Sequence, residues 1–243
     1  GQCRAVCNPD NSDGRCIDGG CEVGRCDDGY DDCDNLDVNG CEIDVRSDAN
    51  NCGRCNVRCL YPGAAGVCSN RACELGPCNS NQHNLDGNAA NGCEYACTAI
   101  PGVDTPDTAR RDGNCDGVDG DVDDAVFVAP APLGRTGNPG TIAAPVNTIA
   151  EALNIARNTP RSYLIVAQGV YDEQVVVENG VSIYGGYTPQ NAWVWTRGTK
   201  VDAPTVIGAT NIGVIASNIN QPTILSGLQI RSESTGVAGA SSY

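Results

Sequence analysis

The pattern of apolar and polar positions changes near Asp124. Beyond it, short β-branched runs at 163–167, 174–178, 181–184, 205–207, 214–216, 223–225 and 227–230 are separated by Gly, Asn and Pro. Each run reads as a strand, and Phe127 with Val128 reads as an earlier short one. Between them Pro130, Pro132, Gly134, Gly137, Pro139 and Gly140 mark a loop. Ile149, Ala152, Leu153 and Ala156 share one helical face, and Thr148-x-x-Glu151 is a capping box, which predicts a helix at about 148–157 that ends before Pro160. No second helix intervenes between later strands. That excludes classical βαβ winding and leaves a sandwich or a parallel β-helix.

Before Asp124 there is no such period. Leu and Ile are few, and the large aromatics are Tyr30, Tyr61 and Tyr95. A segment this poor in apolar groups cannot offset its folding entropy by burial alone and needs covalent staples. All 16 Cys of the 243-residue chain lie in residues 1–115, about one residue in seven. That density points to disulfides and an oxidising, extracellular compartment. Zinc or iron–sulfur ligation is the competing reading, with one C-x-x-C at Cys52–Cys55, but the other spacings do not pair with it.

Charge divides at the same place. Residues 1–124 carry 24 Asp+Glu against 9 Lys+Arg, and residues 125–243 carry 6 against 6, so the net −15 belongs to the first half. An acidic chain has no electrostatic hold on nucleic acid. The single His83 excludes sites that need two histidines, and no apolar run approaches a membrane span. With no Met present, the start is expected to be processed or incomplete.

The cysteines repeat at an offset of 52. Cys3, Cys7, Cys16, Cys21, Cys26 and Cys41 recur as Cys55, Cys59, Cys68, Cys73, Cys78 and Cys93, and Asn39-Gly-Cys-Glu42 recurs as Asn91-Gly-Cys-Glu94. Six cysteines allow fifteen pairings, which remain open. Proximity favours 3–16, 7–21 and 26–41, and likewise 55–68, 59–73 and 78–93. The equivalents of Cys33 and Cys52 are Leu85 and Asp104; their joint loss suggests a Cys33–Cys52 bridge and leaves Cys97 for Cys115.

The words Cys26-Asp-Asp-Gly-Tyr-Asp-Asp-Cys-Asp34, Asn39-Gly-Cys-Glu-Ile-Asp44 and Asp48-Ala-Asn-Asn-Cys-Gly-Arg-Cys55 resemble a repeat found in tandem in large secreted and cell-surface bacterial proteins. Over residues 1–97 the resemblance implies a spacer or adhesive stalk. The second copy departs from it at Leu85 and lacks the N-C-G-x-C tail.

Asp112-Gly-Asn-Cys-Asp-Gly117 fits the opening of an EF-hand-like loop, D-x-[DN]-x-[DN]-G. Calcium takes six to eight oxygens, and alternating carboxylates beside a Gly turn deliver several from one short segment. The candidate ligands are Asp112, Asn114, Asp116, the carbonyl of Val118, and Asp123 at the twelfth position, where the pattern has Glu. Without flanking helices the loop looks like the dockerin or thrombospondin type-3 variety. The competing reading is a solvated acidic linker over 98–124.

In the second half, Val181-Ser-Ile-Tyr-Gly-Gly-Tyr187, Thr205-Val-Ile-Gly208 and Leu225-Ser-Gly-Leu-Gln-Ile230 resemble the right-handed parallel β-helix family, pectin-lyase-like in fold. Pro145-Val-Asn-Thr-Ile-Ala-Glu-Ala-Leu is similar to the helix that caps the first coil there. Ile183, Val206 and Leu228 recur at spacings of 23 and 22, about one coil each. The expected fold is therefore mainly β: a disulfide-rich, loop-rich repeat domain (1–97), a calcium-loop linker (98–124), and a right-handed parallel β-helix with an N-terminal capping helix (125–243).

Enzymes of that fold cluster carboxylates on one face, and a glycosidase needs two that flank the bond. The candidates are Glu151, Asp172, Glu173, Glu178, Asp202 and Glu233, with Lys200 and Arg231 as basic partners. Glu151 is assigned to the helix cap and the others read as solvated turn charges, so no catalytic constellation emerges. Trp193 and Trp195 serve as a sugar platform or, preferably, as cover for an apolar edge. Two functions are carried forward. One is a structural or adhesive protein of the cell surface, a fibre or filament component that binds copies of itself or other surface proteins. The other is a carbohydrate-binding or polysaccharide-degrading β-helix on a Cys-rich spacer. After Ile230 nothing amphipathic covers the last coil, so the chain is expected to continue past Tyr243 or to meet another subunit there.

Overall fold

The computed structural model describes residues 7–198, 204–209 and 212–232. The molecule is mainly β and forms two compact units, 1–96 and 97–243. Among the described residues no helix is long and apolar enough to cross a membrane.

In the first unit the offset of 52 is a structural repeat. Strands β1 (Ser12–Ile17), β2 (Gly20–Cys26), β3 (Tyr30–Asp31) and β4 (Ile43–Asp44) make two antiparallel pairs. After β5 (Leu60–Tyr61), the same pairs return as β6 (Ala64–Ser69) with β7 (Ala72–Cys78) and β8 (Gln82–His83) with β9 (Tyr95–Ala96). Even the irregularity recurs: the register slips at Asp13/Gly14 and again within the Ala64/Gly66 interval. The Asn-Gly-Cys word has a steric reason. Gly40 and Gly92 hold φ of 78° and 79°, and a Cβ on either would strike backbone, at Asp10 and Pro62 respectively. The following amides, Cys41 and Cys93, donate to those same residues' carbonyls at 2.8 Å.

Seven disulfides join described residues: Cys7–Cys21, Cys26–Cys41, Cys33–Cys55, Cys52–Cys68, Cys59–Cys73, Cys78–Cys93 and Cys97–Cys115. Five were expected. The Cys33–Cys52 and Cys55–Cys68 pairings are corrected, because Cys33 and Cys52 each reach forward to the second copy. Their joint loss after that copy reflects a shared role with no third copy to receive it, not a mutual bond. The Cys3–Cys16 pairing falls on Cys3, outside the described residues, although Cys16 is disulfide-bonded.

The second unit starts with β10 (Ala125–Val128), α1 (Ile149–Arg157) and β11 (Tyr163–Ala167). Because β10 and β11 pair in parallel, this opening is itself a β–α–β unit, which corrects the exclusion of such winding. Then come β12 (Gly169–Asp172), β13 (Val175–Val176), β14 (Ser182–Pro189), β15 (Trp195–Arg197), β16 (Thr205–Ala209), β17 (Val214–Ile215), β18 (Leu225–Ser226) and β19 (Leu228–Ser232). Every pairing among these is parallel except β14 with β15, and the ladders are β10–β11–β14–β18, β12–β16–β19 and β13–β17. Among the described residues no sheet closes on itself. Ile183 pairs with Leu164 and Leu225, whereas Val206 pairs with Val170 and Gln229, so the 23-residue spacing from Ile183 to Val206 compared positions in different sheets, while Leu228, 22 residues further on, shares a sheet with Val206 but pairs with Thr205.

Because strand side chains alternate, β10 and β11 feed two cores. Val126, Val128, Leu164 and Val166 pack with the buried face of α1, the four residues expected there, and with Tyr171, Val175, Ile183 and Ile207. Phe127, Tyr163 and Ile165 pack on the other side with Val118, Tyr187 and Trp195.

Candidate functional site

The acidic segment at 112–123 belongs to the second unit. The hydroxyl of Tyr187 donates to the Asp119 carbonyl at 2.6 Å, and Trp195 N–H donates to the Gly117 carbonyl at 2.9 Å. The Arg197 guanidinium, 3.2 Å from the Asp119 carboxylate, also donates to the Asp107 carbonyl and lies over the rings of Tyr184 and Tyr187. Both partners are almost wholly buried, with side chains 5 % and 2 % exposed. Such a pair costs desolvation and holds only because further hydrogen bonds complete it. Burial pushes the Asp119 carboxyl up from its ordinary range, against the lowering effects of the Asp107 N–H and Arg197.

Within the loop, Asp112 accepts from the amides of Asp116 and Gly117, at 3.1 and 2.7 Å. Asn114 Nδ2 donates to Asp116 Oδ2 at 2.8 Å, and Asp116 also accepts from the amides of Val118 and Val122. Burial raises the Asp116 carboxyl to about 6. Asp112, Asn114 and Asp116 thus meet, with buried Val118 beside them. Asp123 is exposed, donates its amide to Asp121, and forms no three-carboxylate cluster with Asp112 and Asp116. Asp104, not singled out in the sequence, anchors the loop by accepting from Gly113 N at 2.7 Å.

The carboxylates of the β ladders are dispersed. Glu151 accepts from Gly137 N at 2.7 Å, while its own amide is capped by the Thr148 hydroxyl at 3.2 Å. Glu173, read as a turn charge, instead takes the first two amides of α1, Ile149 and Ala150, at 2.8 and 2.9 Å; this places a negative charge where the helix dipole favours it. Glu178 pairs with Arg157 at 2.9 Å, and Asp172 is exposed. Lys200, Asp202 and Glu233 lie outside the described residues. The two tryptophans part company: Trp195 is 1 % exposed and meets Phe127 edge-on at 5.1 Å, whereas Trp193 is 38 % exposed.

The first unit holds a cluster the sequence reading missed, Asp32, Asp34 and Glu42, with ligand oxygens within 4.8 Å of one another. All three stand in the repeat words, but only the folded loop brings them together. Cys52, Cys59 and Cys73 also converge, yet each is in a disulfide and offers no thiolate to a metal.

Comparison with known protein families, with curated proteins and with solved structures finds no match.

Proposed function

We propose that this chain is an extracellular structural or adhesive protein, a component of a cell-surface fibre or filament that contacts copies of itself or other surface proteins. In this reading a cystine-stapled repeat serves as stalk and the parallel ladders are coils of a right-handed β-helical rod capped by α1. The observation that carries it is the ladder of inward apolar side chains. Leu164, Ile183 and Leu225 stand in register in one sheet, and Tyr171, Ile207 and Ile230 in another. Consecutive strands β11, β12 and β13 serve three different sheets, as successive sides of a coil do. The 19-residue step from Leu164 to Ile183 and the 42-residue step to Leu225 differ because the β14–β15 hairpin is inserted in the second coil.

Burial decreases at the last rung: Leu164 and Ile183 are fully buried while Leu225 is 40 % exposed, and Ile207 is fully buried while Ile230 is 45 % exposed. That half-covered apolar rung supports contact between copies there. Calcium held by Asp112, Asn114 and Asp116 with the Val118 carbonyl would stiffen the 112–123 segment and relieve the cost of ionising half-buried Asp116. Sedimentation velocity over a concentration series tests the assembly reading: wild type associates and Ile230→Lys stays monomeric. A chain that is monomeric throughout and is retained by polysaccharide would replace it with the carbohydrate-binding alternative.

A further inference from the structure

We propose that the Arg110-Arg111 pair is a processing site for an arginine-specific endoprotease of the trypsin type, which converts the chain into a two-chain form held by the Cys97–Cys115 disulfide. This is the one place in the sequence where two basic residues adjoin. Both are exposed, within the loop that the disulfide closes. No ion pair or side-chain hydrogen bond among the described residues involves either guanidinium, although carboxylates stand close in sequence. Those carboxylates are occupied by main-chain amides. Asp104 accepts from Gly113 N at 2.7 Å, Asp107 from the amides of Ala109 and Arg110 at 2.6 and 3.0 Å, and Asp112 from those of Asp116 and Gly117. Either guanidinium can therefore enter a specificity pocket, where a carboxylate selects arginine, without giving up a partner here.

The backbone is equally open. From Thr108 to Arg111, the main chain makes two hydrogen bonds among the described residues, those that Ala109 and Arg110 donate to the Asp107 carboxylate. Arg110 holds φ of 53°, which residues with a side chain rarely adopt. Both ends of the stretch are fixed. Asp107 N donates to the Asp119 carboxylate at 3.1 Å, the Asp107 carbonyl accepts from Arg197 at 2.8 Å, and Ile100 N donates to the Gly113 carbonyl at 2.8 Å. Residues 108–111 can thus be drawn out into an extended substrate conformation for the loss of two exposed hydrogen bonds, while the base stays in place. The left-handed Arg110 also separates this loop from that of a protease inhibitor, which gains its affinity by presenting the bound conformation preformed.

The other described arginines of the second unit are tied down. Arg157 and Arg197 are ion-paired, Arg161 donates to the carbonyls of Pro139 and Gly140, and Arg231 donates to Gln229. Arg135 donates its amide to the Pro145 carbonyl at 3.1 Å, and its own carbonyl accepts from Asn138 N at 3.3 Å. The step itself is hydrolysis. Water adds across the Arg110–Arg111 or Arg111–Asp112 peptide bond, leaving a carboxylate on the first residue and an α-ammonium on the next, with no change of oxidation state. Every Cys except Cys115 lies before the cut, and Cys115 is bonded to Cys97, so the two pieces stay joined until a reductant opens that bond. Processing followed by reduction removes the last covalent link between the cysteine-rich repeats and the β ladders.

Limited digestion of the oxidised full chain with trypsin tests this, scored by peptide mass mapping at the bonds that follow described arginines. The first such cut is expected at Arg110 or Arg111, at least about tenfold faster than at any other described arginine, because cleavage follows the population of locally opened chain. On a gel without reductant the nicked chain should run as one species that has gained one water, and with reductant it should part into two. Arg110→Gln combined with Arg111→Gln removes side chains that hold nothing, so circular dichroism should be unchanged while the reduced product stays in one piece. In the reduced, denatured wild type the preference for the pair should vanish. An earlier cut at another described arginine, an equal preference in the denatured chain, or pieces that part without reductant would each overturn the proposal. So would an uncut chain that holds trypsin in a stable, inhibited complex.

Discussion

The two units solve the same problem with different means. In the first, the buried hydrophobic residues among those described are Cys41, Val45, Cys52, Cys59 and Cys93, so four of the five are half-cystines. In the second, the interior is Val, Ile, Leu and aromatics on parallel strands, and Cys97–Cys115 is its one disulfide among described residues. A loop-rich chain gains little from apolar burial, and cross-links stabilise it by restricting the unfolded state. A laddered sheet buries both faces of its central strands and needs no such restriction. The disulfides also do something a core cannot: Cys33–Cys55 and Cys52–Cys68 join one repeat to the next, so two short hairpin modules behave as one unit.

This contrast can be broken by substitution. The largest effect is expected from Cys52→Ser combined with Cys68→Ser, which should cost about 2–5 kcal/mol in the first unit and leave the second unchanged. Chemical denaturation followed by hydrogen exchange, resolved by segment, reads each unit separately. Ile183→Ala, which empties a fully buried site in the parallel ladder, should cost about 2–5 kcal/mol in the second unit alone. Glu173→Ala removes the carboxylate from the start of α1 and should cost about 0.5–2 kcal/mol, with exchange rising first at Ile149 and Ala150.

The smallest effect is in pH dependence, where the two units should move in opposite senses. Asp116 titrates near 6 when folded against an ordinary 3.8, so the folded second unit keeps a proton that the unfolded chain has released. In chelator its contribution is therefore full below about pH 4 and lost as pH rises through 6. Asp44, lowered to about 2 chiefly by its hydrogen bond to the Arg46 guanidinium, contributes above about pH 4 and loses that as pH falls through 2. Stability measured across pH 2–8 in chelator, with Asp116→Asn and Asp44→Asn as references, checks both signs.

Local and periodic features were legible. The offset of 52 reappears strand by strand, the helix buries Ile149, Ala152, Leu153 and Ala156, and the four described short-range hairpin bridges follow from spacing. Features set by distant residues were not. The cross-copy bridges depend on how the second hairpin meets the first, where Cys68 lies against the Val45 carbonyl at 3.4 Å. The acidic segment reads as linker because charge alone signals solvent. It is held in the second unit by Tyr187, Trp195 and Arg197, some 70 to 90 residues later. Most strand positions of the second unit were visible, β12 and β15 being missed, and the β14–β15 insertion hid which of them share a sheet. The Asp32, Asp34 and Glu42 cluster stands in the repeat words but was not legible as a cluster, since its members meet only when the turn after Cys33 closes.

Covalent bonds hold the first unit and apolar burial holds the second. Segment-resolved hydrogen exchange of the native chain with and without a thiol reductant tests it most directly. Reduction is expected to abolish protection across β1–β9 while β10, β11, β14 and β16 remain protected. Loss of protection in both units together, or protection retained across β1–β9 in the fully reduced protein, would contradict it.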